Sequence, residues 1–503
     1  MRTLYCNGRV YDGNRFVARA ILVDDGFISW LGEDEAAADA VGVRVVDLAD
    51  ALVTPAFVDP HVHCTGTGLA LTGLDLSETA SLSEALALVE RAARAGRGRP
   101  VLGGGWDETR WPEQRPPTAA ELDRAGYGGA VYLARIDVHS AAVSSQLLAG
   151  VRDLAGYDPS GHVARVAHDT ARTAALAALT PSQTADLQRA ALRHAASLGI
   201  ACVHEMAGPA ISSAEDLTSA LTLARDEPLP EVIGYWGELF GIDTARELGA
   251  VGAAGDLFCD GSIGSHTAAL HEPYADRHDT TGMVRFDTAD VTEHVVRCVE
   301  AGLQAGFHAI GDAAVDQVLT AFELATERIG RPAGPGSRVE HAEYVRDPGR
   351  LAASGLVASM QPMFDVMWGG PADMYTQRLG AARAAALNRF ADLAAAGVPL
   401  AFGSDAPVTP LGPWGAIRAA VRMHDPAAAV SVETALAAHT AGGWRAGGRP
   451  AEGRLGIGAP ATFAVWDSPG RGLPELAAGG ALPGCVATVR AGESIFDAGL
   501  PAG

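Results

Sequence analysis

Lysine is absent from this chain of 503 residues: all 38 of its basic side chains are arginine. Any site chemistry that needs a lysine amine is thereby excluded. Charge of either sign is sparse, at 19% of residues against 48% apolar. So low a charged fraction argues against disorder and leaves ample apolar material for a large core. What charge there is runs acidic, with 60 acids and a net charge of −22. The missing basic surplus disfavours nucleic acid and anionic membrane as partners, because both need a basic surface. The acidity also serves solubility, and it suits a small-molecule substrate. Six cysteines (Cys6, Cys64, Cys202, Cys259, Cys298 and Cys485) form no Cys-x-x-Cys pair, so they read as reduced thiols in a cytoplasmic protein. The opening MRTLYCNGRVYDG lacks the apolar core of a secretory signal, and no run approaches the ~18 apolar residues of a membrane span.

What is present divides into two patterns. Residues 4–10, 16–23, 27–31 and 43–48 are short β-rich runs broken by Gly, Asp and Asn, with a helical turn expected near 33–40. Residues 461–467 and 485–491 look the same. Both ends are therefore expected to build one small β domain, 1–54 plus 445–503. Between them, eight apolar runs end in polar residues: 52–63, 131–139, 201–205, 257–260, 303–308, 338–341, 356–361 and 399–405. Helical stretches at 83–95, 182–198, 288–301, 313–329 and 381–396 alternate with them. Such alternation predicts an α/β fold, a (β/α)8 TIM-like barrel over 55–444, with an insertion around 66–128. A doubly wound open sheet would want a Gly-rich phosphate turn after its first strand. Here that strand ends in His-Val-His, and Gly103-Gly104-Gly105 lacks the dinucleotide context.

In a parallel barrel the C-terminal strand ends share one site. His61 and His63 alternate on the first strand, so period-2 geometry points both to one face. His308, His341 and Asp405 close three later runs. One His-x-His is weak; five metal-capable residues at four strand ends are a specific signal. Imidazole with carboxylate suits zinc and, less well, iron or manganese. Asp405 could take a proton from water and return it to a leaving amine. His139 and His204 end the second and third runs, where a donor would either stabilise an oxyanion or hydrogen-bond behind the ligands. Trp106 and Asp107 lie in the insertion and would either cover a substrate or pack an ordinary loop; Asp260 and His266 flank a Gly/Ser-rich turn that could line the pocket.

Seven segments carry a resemblance: residues 54–63 (TPAFVDPHVH), 104–107 (GGWD), 135–139 (RIDVH), 260–265 (DGSIGS), 307–312 (FHAIGD), 340–342 (EHA) and 403–408 (GSDAPV). In order and over nearly the whole chain, they resemble the amidohydrolase superfamily, specifically its amidohydrolase 3, or YtcJ-like, branch. That resemblance implies a barrel with a sandwich built from both termini and a site of one or two divalent metal ions. It also implies hydrolysis of non-peptide C–N bonds in amides or cyclic amides by metal-bound hydroxide. It maps the ligands onto His61, His63, His308, His341 and Asp405, with Asp405 also a proton shuttle. A homodimer is usual in similar proteins.

One departure stands out. Two-metal members of the branch place a carbamylated lysine four residues before the Asp-Gly of the fourth strand; this chain has Asp256 there. A carbamate bridge is impossible without lysine. Three arrangements stay open: Glu205 supplies a bridging carboxylate, the site binds one metal, or Asp256 bridges despite a side chain several atoms shorter than the carbamate. The missing lysine also keeps open a one-metal deaminase of a heterocycle, and an inactive binding protein on the same fold.

Overall fold

The computed structural model describes residues 2–34, 42–136 and 140–499. The expected turn at 33–40 falls mostly outside them, as does His139. The chain divides into two compact units, one of residues 1–63 with 192–503 and one of residues 64–191.

The larger unit holds an eight-stranded parallel sheet whose strands run in chain order: β1 (Phe57–Val62), β2 (Ile200–Ala207), β3 (Glu231–Trp236), β4 (Gly252–Ala253), β5 (Gln304–Ala309), β6 (Arg338–His341), β7 (Val357–Met360) and β8 (Leu400–Phe402). A bridge between Val62 and Ala406 brings the last strand back to the first. This is the expected (β/α)8 barrel. Crossover helices such as Thr288–Ala301 and Asp312–Ile329 bury one apolar face, and both end at a glycine in the left-handed region (Gly302, Gly330).

Two expected strands are corrected. The run at 131–139 supplies no barrel strand: Val131–Arg135 lies in the second unit, in a five-stranded sheet ordered His162–Ala164, Ser140–Val143, Val131–Arg135, Val101–Trp106, Leu74–Asp75. An apolar run records burial, not which sheet buries it, so this one took the place of β3. The second unit accordingly runs well past the 66–128 expected of an insertion. The run at 257–260 is also no strand. Gly255, at φ +90°, ends β4 early, and Phe258 then meets β5 through a single bridge to His308. At φ +90° the kink takes a conformation that residues with a side chain rarely adopt, which glycine supplies. The expected helix at 381–396 is broken as well, into Ala381–Ala384 and Phe390–Ala395, by Asn388 at φ +52°.

Both ends of the chain meet in two β-sheets. One orders Phe27–Gly32, Ala20–Asp24, Arg2–Cys6 and Arg44–Asp47; the other orders Glu493–Asp497, Gly484–Arg490, Phe463–Asp467, Leu52–Pro55, Arg9–Tyr11 and Phe16–Ala18. Tyr5, Val10, Ile21, Phe463 and Val489 share their buried core. The run at 52–63 is thus two strands: its first half belongs to the sandwich and its second to the barrel. Among the described residues no helix is long and apolar enough to cross a membrane.

Candidate metal centre

Barrel closure assembles the centre. The Asp405 amide donates to the His61 carbonyl and the His63 amide to that of Ala406, each at 2.9 Å. Asp59 accepts from the Ser404 amide at 3.0 Å. Gly403 makes this approach possible, because a Cβ there would sit 2.7 Å from Asp59 Oδ1 and 3.1 Å from the His61 nitrogen. Gly403→Ala is expected to cost roughly 1–3 kcal/mol through overpacking; an unchanged urea midpoint would contradict the closure just described.

Six side chains converge at the strand ends. His61 lies on β1 with His63 just beyond it, His308 on β5, His341 at the end of β6, Asp405 after β8, and Asp256 in the turn that follows β4. Three overlapping groups have donor atoms within 4.8 Å of one another: His61, His63 and Asp256; His61, His341 and Asp405; Asp256, His308 and His341. Asp256 is common to two of them. Its Oδ1 lies 3.4 Å from His61 Nε2 and 3.6 Å from both His308 Nδ1 and His341 Nε2. Its Oδ2 lies 3.3 Å from His63 Nε2. Asp405 Oδ1 lies 3.2 Å from His63 Nε2 and 3.5 Å from His61 Nε2.

Each imidazole is held through its remote nitrogen. His61 Nδ1 faces Glu340 Oε2 at 3.0 Å, His63 Nδ1 the Met206 carbonyl at 3.1 Å, His341 Nδ1 the Gln361 Oε1 at 2.9 Å, and His308 Nε2 the Gly261 carbonyl at 3.1 Å. All four partners accept, so the N–H belongs on the remote nitrogen and the lone pair points inward. That is the arrangement by which outer partners orient metal-binding histidines.

The interior atoms fit a cation. His61 Nε2, Asp256 Oδ1 and His308 Nδ1 are buried without a hydrogen-bond partner, a state costly to leave uncompensated. Two ligands about 2.1 Å from a common tetrahedral cation lie roughly 3.4 Å apart, close to the spacings here. The electrostatics agree. Burial opposes charge on His63, yet Asp256 and Asp405 outweigh it and raise its pKa to about 10. Burial likewise opposes the Asp256 carboxylate, but His61, His308 and His341 hold its pKa well below the usual range. The two acids thus create a strong demand for positive charge, which a divalent cation meets.

The other expected site residues fall outside these three donor groups among the described residues. Glu205 is buried on β2, level with Val62, and belongs to none of the three donor groups among the described residues. Asp256 stands where a bridging acid was sought. Its short side chain reaches because the kink at Gly255 moves its backbone. His204 is wholly buried and its Nδ1 accepts from Arg338 at 2.9 Å, so it serves the barrel interior and not an open pocket. Burial, then the Arg338 charge, keep it neutral. Asp260 is also fully buried and accepts from the amides of Ala269, Ile310 and Gly311; it pins these loops together with its Oδ1 3.7 Å from His308 Nε2. In the second unit, Trp106 is fully buried beside Trp111 and donates to the Leu133 carbonyl. Asp107 caps the turn Glu108–Arg110. Arg135 pairs with Glu108 at 2.9 Å. His266 holds Asp276 at 3.0 Å.

Sequence reasoning missed the roles of Arg338, Glu340 and Gln361. The signal was there: Arg-Val-Glu on a barrel strand puts two charges on one face, and buried charges demand partners. Burial opposes the Glu340 carboxylate, but Arg338 and His61 outweigh it and hold its pKa at about 2.

Known proteins agree with this architecture. A family profile described as "Amidohydrolase family" matches residues 44–496. The putative amidohydrolase YtcJ of Bacillus subtilis is 28% identical over 84% of this chain and 84% of its own. The N-substituted formamide deformylase of Arthrobacter pascens is 25% identical over 92% of each. An uncharacterized metal-dependent hydrolase from Pyrococcus furiosus superposes with a TM-score of 0.81 at 29% identity, covering 93% of this chain and 99% of that one. With the profile spanning most of its length, this chain belongs to the amidohydrolase family.

Proposed function

We propose that this protein hydrolyses non-peptide carbon–nitrogen bonds in amides or cyclic amides. The reaction would use divalent metal, zinc by the chemistry of the donors, held by His61, His63, Asp256, His308, His341 and Asp405. The observation that carries the proposal is the convergence of four imidazoles on two carboxylates, with each remote nitrogen already facing an acceptor. Similarity to a formamide deformylase supports an amide substrate. A divalent cation supplies Lewis acidity there, polarising the carbonyl and lowering the pKa of water towards ~7.

The chain's own groups do the rest. Asp405, 3.2 Å from His63 Nε2, is assigned to take a proton from the attacking water and hand it to the departing amine. His63 is the most accessible of the six, at 15% of its side chain, so substrate approaches from its side. Asp256 and Asp405 together balance the charge of one dication, which keeps the four imidazoles neutral and able to ligate. Six free thiols suit a reducing cytoplasm.

The test is turnover of a panel of N-formyl, N-acyl and cyclic amides. The expected result is hydrolysis of at least one member, lost on chelation and restored by zinc. Turnover that survives complete metal removal would overturn the proposal, as would metal-loaded protein inert to the whole panel. Metal loading should also be indifferent to bicarbonate, because no lysine exists to be carbamylated. Metal-free protein reconstituted with and without bicarbonate should take up equal metal; a dependence would mean that the bridging group has been misread.

A further inference from the structure

Inside the barrel lies a charged cluster of which the chemistry above uses only the contact of Glu340 with His61. Arg338 is wholly buried. Its Nε donates to Glu340 Oε1, and its Nη2 donates to Glu340 Oε2 at 2.9 Å, the Pro60 carbonyl at 2.6 Å and Ser359 Oγ at 2.9 Å. Its Nη1 donates to His204 Nδ1 at 2.9 Å. The guanidinium also stands 4.6 Å from the ring centre of Tyr235. One side chain on β6 therefore gathers groups from β1, β2, β3 and β7. The same Glu340 Oε2 that it holds is the atom facing His61 Nδ1.

We infer that Arg338 is a positioning residue for the cation site: through Glu340 it fixes the His61 ring with Nε2 facing the cation. The inference rests on reading that site as a metal centre. The physical reason is geometric. Glu340 can turn one oxygen towards His61 only while its carboxylate is held in plane, and the planar guanidinium fork supplies that hold from two nitrogens at once. A planar fork satisfied on both prongs has no low-energy rotation, so the orientation passes to the imidazole. The guanidinium also supplies the positive charge without which a buried carboxylate is strongly disfavoured.

The experiment measures zinc affinity of the full chain by competition with a chromophoric chelator, beside the thermal midpoint of each metal-free protein. Four proteins are compared: wild type, Arg338→Met, Arg338→Lys and the double variant Arg338→Met/Glu340→Gln. Loss of an outer partner of a metal-binding histidine typically costs about 10–100-fold in metal affinity, and Arg338→Met is expected to fall in that range. Arg338→Lys keeps the charge but loses the fork, and should fall about tenfold, at the low end of the same range. The double variant removes the lone carboxylate as well but still lacks the fork, so its affinity should stay well below wild type; full recovery would mean that the loss came from an uncompensated charge and not from lost orientation. A purely structural role would move the thermal midpoint and leave affinity alone. Unchanged affinity in either single variant overturns the inference, as does a double variant restored to wild-type affinity. Should Arg338→Met fail to fold, Arg338→Lys decides. A wild type that binds no zinc overturns the metal reading and this inference together, whereas normal wild-type affinity with unaffected variants overturns the inference alone.

Discussion

Replacing Asp256 with asparagine is expected to lower affinity for a divalent cation by more than about 100-fold. Removing an outer partner of a ligand already costs roughly 10–100-fold, and Asp256 stands among the inward-facing atoms themselves. Its two oxygens face His63 on one side and His61, His308 and His341 on the other, all at 3.3–3.6 Å. An amide keeps one acceptor and turns N–H groups towards imidazole lone pairs. It also removes half of the negative charge that balances a dication in a buried setting, where uncompensated charge is costly. Removing one partner from a buried charged cluster also lowers the stability of the metal-free protein, so affinity and not the unfolding midpoint is the quantity to compare. Chelator competition measures the effect, and an affinity within threefold of wild type would remove Asp256 from the ligand set.

The second large effect is on chemistry. Asp405→Asn is expected to reduce turnover of a working substrate by about 10²–10⁴-fold, the range of a lost general acid–base group. The substitution is clean for a backbone reason. Asp405 lies at φ +56°, in the left-handed region that asparagine tolerates better than most residues, so the turn after β8 should keep its shape. Far-ultraviolet circular dichroism and the thermal midpoint check that it does. Turnover within threefold of wild type, with the fold intact, would strip Asp405 of the proton-transfer role.

Much of this was readable beforehand, and the reasons are physical. His61 and His63 announce themselves because period-2 alternation on a strand can be read locally. His308, His341 and Asp405 each close an apolar run, and in a parallel barrel such ends converge whatever lies between them. Strand identity was harder. Val131–Arg135 and Glu231–Trp236 are both short apolar runs, and only tertiary pairing assigns the first to the second unit's sheet and the second to the barrel. Asp256 was undervalued because reach was judged from side-chain length, whereas the left-handed Gly255 moves the backbone itself. A place near a strand end suggests a pocket group for Asp260 and, as one of two readings, for His204. Their actual partners, Arg338 and the amides around Gly311, come from segments that no local pattern connects to them. Arg338 and Glu340 needed the converse inference, that charges inside a barrel strand must find each other.

The most direct measurement is the metal content of carefully purified protein, determined by elemental analysis on wild type and Asp256→Asn side by side. At least one equivalent of a transition metal per wild-type chain is predicted, with a large loss in the variant. Wild-type protein that carries no such metal, and takes none up when it is supplied, would contradict the account at its centre.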